Sequence, residues 1–234
     1  MYIAHFEKLT LVDFPGKIAT TVFTPGCVLR CPYCHSPELV APRESEKKFL
    51  KNNREKDFFA FLKTRKGKLD GVCITGGEPT LHTDLEKFIK RVKKMGFLVK
   101  LDTNGVFPNI VKKLAKTKLV DYWAMDIKHA PKKYPDATGV SVDIARIKES
   151  VKIIMESGQR YEFRTTVVPG IHTEKDFSEI ASWIDGAEAY YLQAFRDVKV
   201  LDDRVLQKTR GKTVDLEKIK KNIGDKFGIM AIRQ

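Results

Sequence analysis

Three of the four cysteines fall within eight residues, in the segment Thr24-Pro25-Gly26-Cys27-Val28-Leu29-Arg30-Cys31-Pro32-Tyr33-Cys34-His35. Neighbouring thiols in a reducing compartment seldom form structural disulfides, so the spacing C-x3-C-x2-C points to a metal centre or to thiol chemistry. Pro25-Gly26 turns the chain ahead of the first thiol, and Pro32 prevents a regular helix between the second and third. A loop held this way can wrap three thiolates around one centre. Three ligands would leave one iron of a cubane iron–sulfur cluster open to an exogenous ligand, whereas common electron-transfer clusters use four. The rival is a zinc site of Cys3His type that takes His35. Against it, Cys34 and His35 are consecutive and rarely both reach one tetrahedral ion, and no second Cys-x-x-Cys pair follows. Cys73, inside the apolar run Gly71-Val72-Cys73-Ile74-Thr75, reads as a core residue rather than a fourth ligand.

The elements that must position this loop follow from side-chain type and periodicity. Strands are expected over 17–24, 71–75, 97–101, 120–127, 162–168, 188–194 and 227–232, from β-branched and aromatic content. Helices are expected over 84–95, 110–116, 144–157, 174–184 and 216–222, the first with Leu85, Phe88, Ile89 and Val92 at three- and four-residue spacing. Residues 43–68 read as a charged loop entering a helix whose apolar face is Phe58, Phe59, Phe61 and Leu62. Strand and helix alternate about six times, which predicts an α/β fold with a parallel sheet, a partial (βα)6 barrel in which function gathers at the C-terminal ends of the strands. The polar motifs sit at those ends: Cys27–His35, Gly76-Gly77-Glu78-Pro79, Asp102-Thr103-Asn104-Gly105, Asp126-Ile127-Lys128 and Pro169-Gly170. No repeat, low-complexity tract or linker interrupts the 234 residues, so one domain is expected, with a core over about 9–196 and a C-terminal helix–strand extension.

Composition narrows the partners. No apolar run approaches the roughly 18 residues that span a bilayer, and the N-terminus lacks a signal-peptide pattern. A cytoplasmic protein without membrane contact is expected. The net charge of +13 is densest from Lys47 to Lys68. No RNA-recognition, zinc-finger or helix-turn-helix signature accompanies it, so a solvated face or a docking face for an acidic partner is expected before nucleic acid.

At these motifs the sequence resembles the radical S-adenosylmethionine (SAM) superfamily: C-x3-C-x2-C with Tyr33 before the third cysteine, then Gly76-Gly77-Glu78-Pro79. It resembles most the activators of glycyl-radical enzymes, through Thr10-Leu11-Val12-Asp13-Phe14-Pro15-Gly16-Lys17, Leu101-Asp102-Thr103-Asn104-Gly105, Asp126-Ile127-Lys128 and Val167-Val168-Pro169-Gly170. Among them it is most similar to activators of anaerobic ribonucleoside-triphosphate reductase, then to those of pyruvate formate-lyase. The resemblance implies a [4Fe–4S] cluster on Cys27, Cys31 and Cys34, whose open iron binds S-adenosylmethionine. It implies reductive cleavage to a 5′-deoxyadenosyl radical and hydrogen abstraction from a glycine of a partner glycyl-radical enzyme, with a flavodoxin- or ferredoxin-like electron donor. Tyr33 and the backbone of His35 are then expected at the adenine. Gly76 and Gly77, lacking β-carbons, are expected to let backbone approach the methionyl group with Glu78 nearby. Asn104 and Thr103 are expected to contact the cofactor. Asp126 and Lys128, two apart on a strand, suit the ribose hydroxyls or form a plain ion pair, and Arg164 suits the substrate carboxylate. Asp102, Thr103 and Asp126 are expected to hold a monovalent cation, and Asp13 to touch the partner's glycine loop. The similarity departs at Arg196, where the pyruvate formate-lyase activators carry histidine. Other readings are a radical enzyme acting on a small molecule or tRNA, and a non-enzymatic zinc or electron-carrier protein.

Overall fold

In the row Val22, Ile74, Leu101, Trp123 and Tyr161, one residue from each of five successive strands, every side chain is apolar and buried. One register position earlier the row reads Thr21, Cys73, Lys100 and Tyr122. Such alternation in a parallel sheet means that the two faces meet different surroundings. A computed structural model of the chain, describing residues 1–41 and 52–233, shows what they are. The sheet has eight strands in chain order: β1 (His5–Thr10), β2 (Ala19–Thr24), β3 (Gly71–Gly76), β4 (Leu98–Thr103), β5 (Tyr122–Asp126), β6 (Arg160–Val167), β7 (Ala189–Ala194) and β8 (Ile229–Arg233). All neighbours are parallel except β1 and β2.

The apolar row faces the helices. α2 (Glu55–Lys63) buries Phe58, Phe59 and Leu62, and Phe58 and Phe59 stack against Phe88 of α3 (Leu85–Lys94). Phe61 leaves that face and packs beside Phe6 of β1, where it is only half-buried. α4 (Pro108–Lys116), α6 (Ile144–Met155), α7 (Asp176–Trp183) and α9 (Leu216–Ile223) contribute Val111, Leu114, Ile147, Ile154, Phe177, Ile180 and Ile219 to the same outer core. The hydrophobic driving force therefore acts between sheet and helices.

The inner face is polar. The sheet curls enough for Arg164 of β6 to reach Asp102 of β4, two strands away, and for Arg233 of β8 to reach Glu162 of β6. Phe14 plugs this face at the N-terminal end of the strands against Ala19, Leu98 and Tyr122. Cys73 is buried as expected, but it stands on the inner face beside Lys100 (3.7 Å) and Asp102 (3.8 Å) and not among core side chains. Among the described residues, one strand and three α-helices lie outside the expected set: β1, α1 (Pro37–Val40), α5 (Tyr134–Thr138) and α8 (Arg204–Thr209). Much of the basic stretch around Lys47–Lys51 lies outside the described residues. Among the described residues no helix is long and apolar enough to cross a membrane.

Candidate functional site

The loop leaving β2 is pinned by backbone before its cysteines begin. Gly26 N–H donates to Leu39 of α1 (2.7 Å), and Gly26 C=O accepts from Glu78 N–H (2.7 Å). Gly77 N–H donates to Thr24 C=O (2.7 Å), so the loops after β2 and β3 are joined backbone to backbone. A β-carbon at Gly77 would lie 2.0 Å from Gly26 O, and one at Gly76 (φ +122°) 2.3 Å from Thr24 N. The missing side chains are thus required first by protein backbone, and the same glycines then line the cavity. Gly77→Ala is expected to displace the Cys27 loop and lower 5′-deoxyadenosine formation about 100-fold, as an ångström-scale misplacement does. Unchanged circular dichroism with lost S-adenosylmethionine affinity would mark the effect as local.

Cys27, Cys31 and Cys34 are free thiols lining one cavity with Tyr33, His35, Gly76, Gly77, Glu78, Asp126 and Lys128. Burial raises all three thiols, Cys31 to about 12, and the Lys128 ammonium opposes this at each. Leu29 N–H and the Asn104 amide point at Cys27 Sγ, at 3.4 and 3.7 Å. Two supports lay beyond the sequence reading. Arg30 Nη1 donates to the carbonyls of Cys27 (2.6 Å) and Leu29 (2.8 Å). Its N–H bonds Thr138 C=O at the end of α5 (2.9 Å), where Gly139 passes too close to Arg30 O to carry a side chain.

Glu78 is buried, and its carboxylate is fully engaged by protein. Oε1 accepts from Thr80 N–H (3.0 Å), the Thr80 hydroxyl and the Thr103 hydroxyl (2.8 Å), and Oε2 accepts from Asn104 N–H (2.7 Å). Burial nevertheless raises its carboxyl above the usual range. Glu78 thereby ties the loop after β3 to the loop after β4, and Asn104 extends the tie to Cys27.

Across the cavity Arg164 bridges both aspartates, Nε to Asp126 Oδ1 (3.0 Å) and Nη1 to Asp102 Oδ2 (3.2 Å). Lys128 Nζ lies 3.0 Å from Asp126 Oδ2, and Lys100 bonds Asp102. Burial alone would raise the Asp126 carboxyl, but Arg164 and Lys128 override it and hold it to about 2. The carboxylates and the threonine expected to hold a cation are therefore committed elsewhere: a guanidinium stands between Asp102 and Asp126, and Thr103 serves Glu78. Among the described residues no three His, Cys, Asp or Glu side chains converge on a single-ion position. Arg164, expected to grip a substrate carboxylate, directs two of its donors to aspartates. Tyr33 is buried in the cavity with its hydroxyl unpartnered, whereas His35 bonds Arg196 C=O (3.1 Å) and stacks on Phe195. Asp13 accepts from the hydroxyl of Thr21, a residue in the inner-face row of Cys73 and Lys100, and is not among the residues lining the cavity of Cys27, Cys31 and Cys34.

Two histidines that sequence reasoning passed over join the loops after β5 and β6. His129 and His172 are fully buried and stacked at 4.5 Å. Burial pushes His172 down to about 4, with the neighbouring His129 ring adding to the fall and the Asp176 carboxylate opposing it. Between the unfolded value near 6.5 and that value, the unfolded chain binds a proton that the folded chain refuses, so stability falls as pH drops from about 6.5 towards 4. The expected loss is about 2 kcal/mol at pH 5. Urea midpoints at pH 7 and 5 would read it, and His172→Gln should flatten the difference.

The Radical SAM superfamily model matches residues 21–184. The chain belongs to that superfamily. A provisionally named glycyl-radical enzyme activating enzyme of Methanocaldococcus jannaschii is 32% identical over 207 residues, 86% of this chain and 82% of that one, which places the chain among the activating enzymes. A pyruvate formate-lyase-activating enzyme of Staphylococcus aureus is 27% identical over 85% of this chain and 82% of its own. The fold is shared with Streptococcus suis SuiB bound to S-adenosylmethionine, at TM-score 0.66 and 17% identity, covering 92% of this chain and 52% of that one. Radical SAM enzymes use a [4Fe–4S] cluster and S-adenosylmethionine, and this site fits both. The donor set is three thiols on one loop, the cavity wall is glycine backbone, and an orphaned buried hydroxyl, Tyr33, faces the space.

Proposed function

We propose that this radical SAM activating enzyme places a glycyl radical on an anaerobic ribonucleoside-triphosphate reductase. The observation that carries the reading is the cavity itself: the three cysteines at the end of β2 share it with Gly76, Gly77, Asp126 and Lys128. Cys27, Cys31 and Cys34 would hold the cluster, which with S-adenosylmethionine supplies a 5′-deoxyadenosyl radical and methionine at the expense of one electron. The chain's own residues then orient and enclose. Glu78 and Asn104 hold the cysteine loop against the strand ends, Arg164 and Lys128 keep Asp126 ionised for hydroxyl acceptance, and Tyr33 closes the cavity wall. Exclusion of water matters because such a radical attacks almost any C–H bond. Arg196 in place of histidine favours the reductase over pyruvate formate-lyase as target, and Cys73 alone leaves no thiolates for a second cluster. A flavodoxin- or ferredoxin-like protein is the proposed donor, since a net charge of +13 attracts an acidic carrier. Anaerobic reconstitution, reduction and addition of S-adenosylmethionine with each partner tests the assignment. A glycyl-radical electron paramagnetic resonance signal on the reductase is expected. A signal on pyruvate formate-lyase alone would reassign the target, and absence of 5′-deoxyadenosine would refute the reading.

A further inference from the structure

His129 follows Lys128 in the loop after β5, and His172 follows Ile171 in the loop after β6. Each ring reaches across to the carbonyl that precedes the other. His172 Nε2 meets Lys128 C=O at 2.8 Å, and His129 Nε2 meets Ile171 C=O at 3.2 Å. The other ring nitrogens accept from backbone: His172 Nδ1 from Val168 N–H (3.0 Å) and His129 Nδ1 from Ala130 N–H (2.7 Å). An Nδ1 that accepts cannot also carry a proton, so both rings are neutral Nε2–H tautomers and both Nε2 groups donate. The result is a reciprocal clasp of two stacked imidazoles between two loops.

We propose that this clasp positions Lys128 at the cofactor site and that His172 is its principal positioning residue. The proposal rests on the radical SAM reading of the cavity. The backbone of Lys128 is held at both ends, its N–H by the Tyr134 hydroxyl (3.3 Å) and its C=O by His172. From that anchored backbone the ammonium reaches Asp126 and faces Cys31 and Tyr33 within the cavity. The same clasp fixes Val168 and Ile171 on either side of Pro169-Gly170, another strand-end motif of the site. Both rings are buried among Phe177, each other and the Asp176–Lys133 pair, with Asp136 also near His129, so neither touches substrate or cofactor.

The test separates cross-loop positioning from local support. Histidine 15N spectra of the ligand-free protein at neutral pH should show both residues as Nε2–H tautomers. Binding of S-adenosylmethionine to the reconstituted, unreduced protein is measured by equilibrium dialysis. Loss of one bridging hydrogen bond is expected to weaken it about tenfold in His172→Ala. His172→Gln, which keeps a donor for Lys128 C=O, should recover most of the affinity. His172→Asn, which keeps only the acceptor for Val168 N–H, should not. Lys128→Ala combined with His172→Ala should bind no worse than Lys128→Ala alone, since the two act as one unit. Nδ1–H tautomers, equal rescue by asparagine and glutamine, or strictly additive losses would overturn the proposal. Wild-type protein that ignores S-adenosylmethionine while showing the expected tautomers would instead refute the cofactor reading.

Discussion

Alanine at any one of Cys27, Cys31 or Cys34 is expected to remove the cluster absorbance near 400 nm and take 5′-deoxyadenosine formation below detection, about a thousandfold or more. The fold should survive, because these thiols sit on a loop whose backbone is held by Leu39, Glu78 and Thr138 rather than by sulfur. Removing one buried or half-buried sulfur should cost about 1 kcal/mol, within the ordinary range for a point substitution. Cys73→Ser is the internal control. It lies on the inner face beside Lys100 and outside the cavity wall, so full cluster content is expected with it. Iron and sulfide analysis of the four variants after anaerobic reconstitution decides the matter. A Cys73 variant that loses the cluster while Cys34→Ala keeps it would reverse the assignment of the ligands.

The largest loss of stability is expected from Glu162→Ala. Glu162 is fully buried on β6, accepting from both terminal nitrogens of Arg233 (2.8 and 2.7 Å) and from the Tyr122 hydroxyl (2.9 Å). Arg164 lies 3.9 Å away. Arg233 is 34% exposed, so water takes up part of the charge left behind and the expected cost is about 2–3 kcal/mol. For a chain of this length that is a melting point lower by roughly 5–10 °C. Tyr122→Phe removes a donor without stranding a charge, so about 1 kcal/mol is expected. Thermal denaturation of the two variants side by side gives the comparison. Equal, small shifts would show that Arg233 finds another partner or water. The pair Glu162→Gln with Arg233→Met should recover much of the loss, since the unpaired cation is then gone.

Much of this molecule was legible because its chemistry is written at strand ends. Seven of the eight strands coincide with runs rich in β-branched and aromatic residues, and the five polar motifs fall at the C-terminal ends as expected. β1 was not legible: along His5–Thr10 only Thr10 is buried, so no alternation marks it, and pairing with β2 alone makes it a strand. Nor does local sequence reveal that Lys100, 2% exposed, is buried against Asp102 on an inward polar face. The roles of Glu78 and Arg164 were half legible. Their residue types suggested ligand contact, but the bonds of Glu78 to Thr103 and Asn104 and of Arg164 to Asp102 and Asp126 join chain segments far apart in sequence. His129 and His172, 43 positions apart, carry no shared motif, and only the fold brings them together.

Among the described residues the strand order ends with β1 at one side and β8 at the other, each paired on one edge only. A closed ring of strands can widen only by breaking a ladder, whereas here the gap between the outer strands can breathe without rupturing any central pairing. Amide exchange should accordingly be fastest along β1 and β8 and slowest through β3–β6, whose ladders are flanked on both sides. An open seam also invites a stray strand to add to it. The exposed charges of Glu7 and Lys8 on β1 discourage that, so the sheet can stay ajar in a crowded solution without polymerising along its edge.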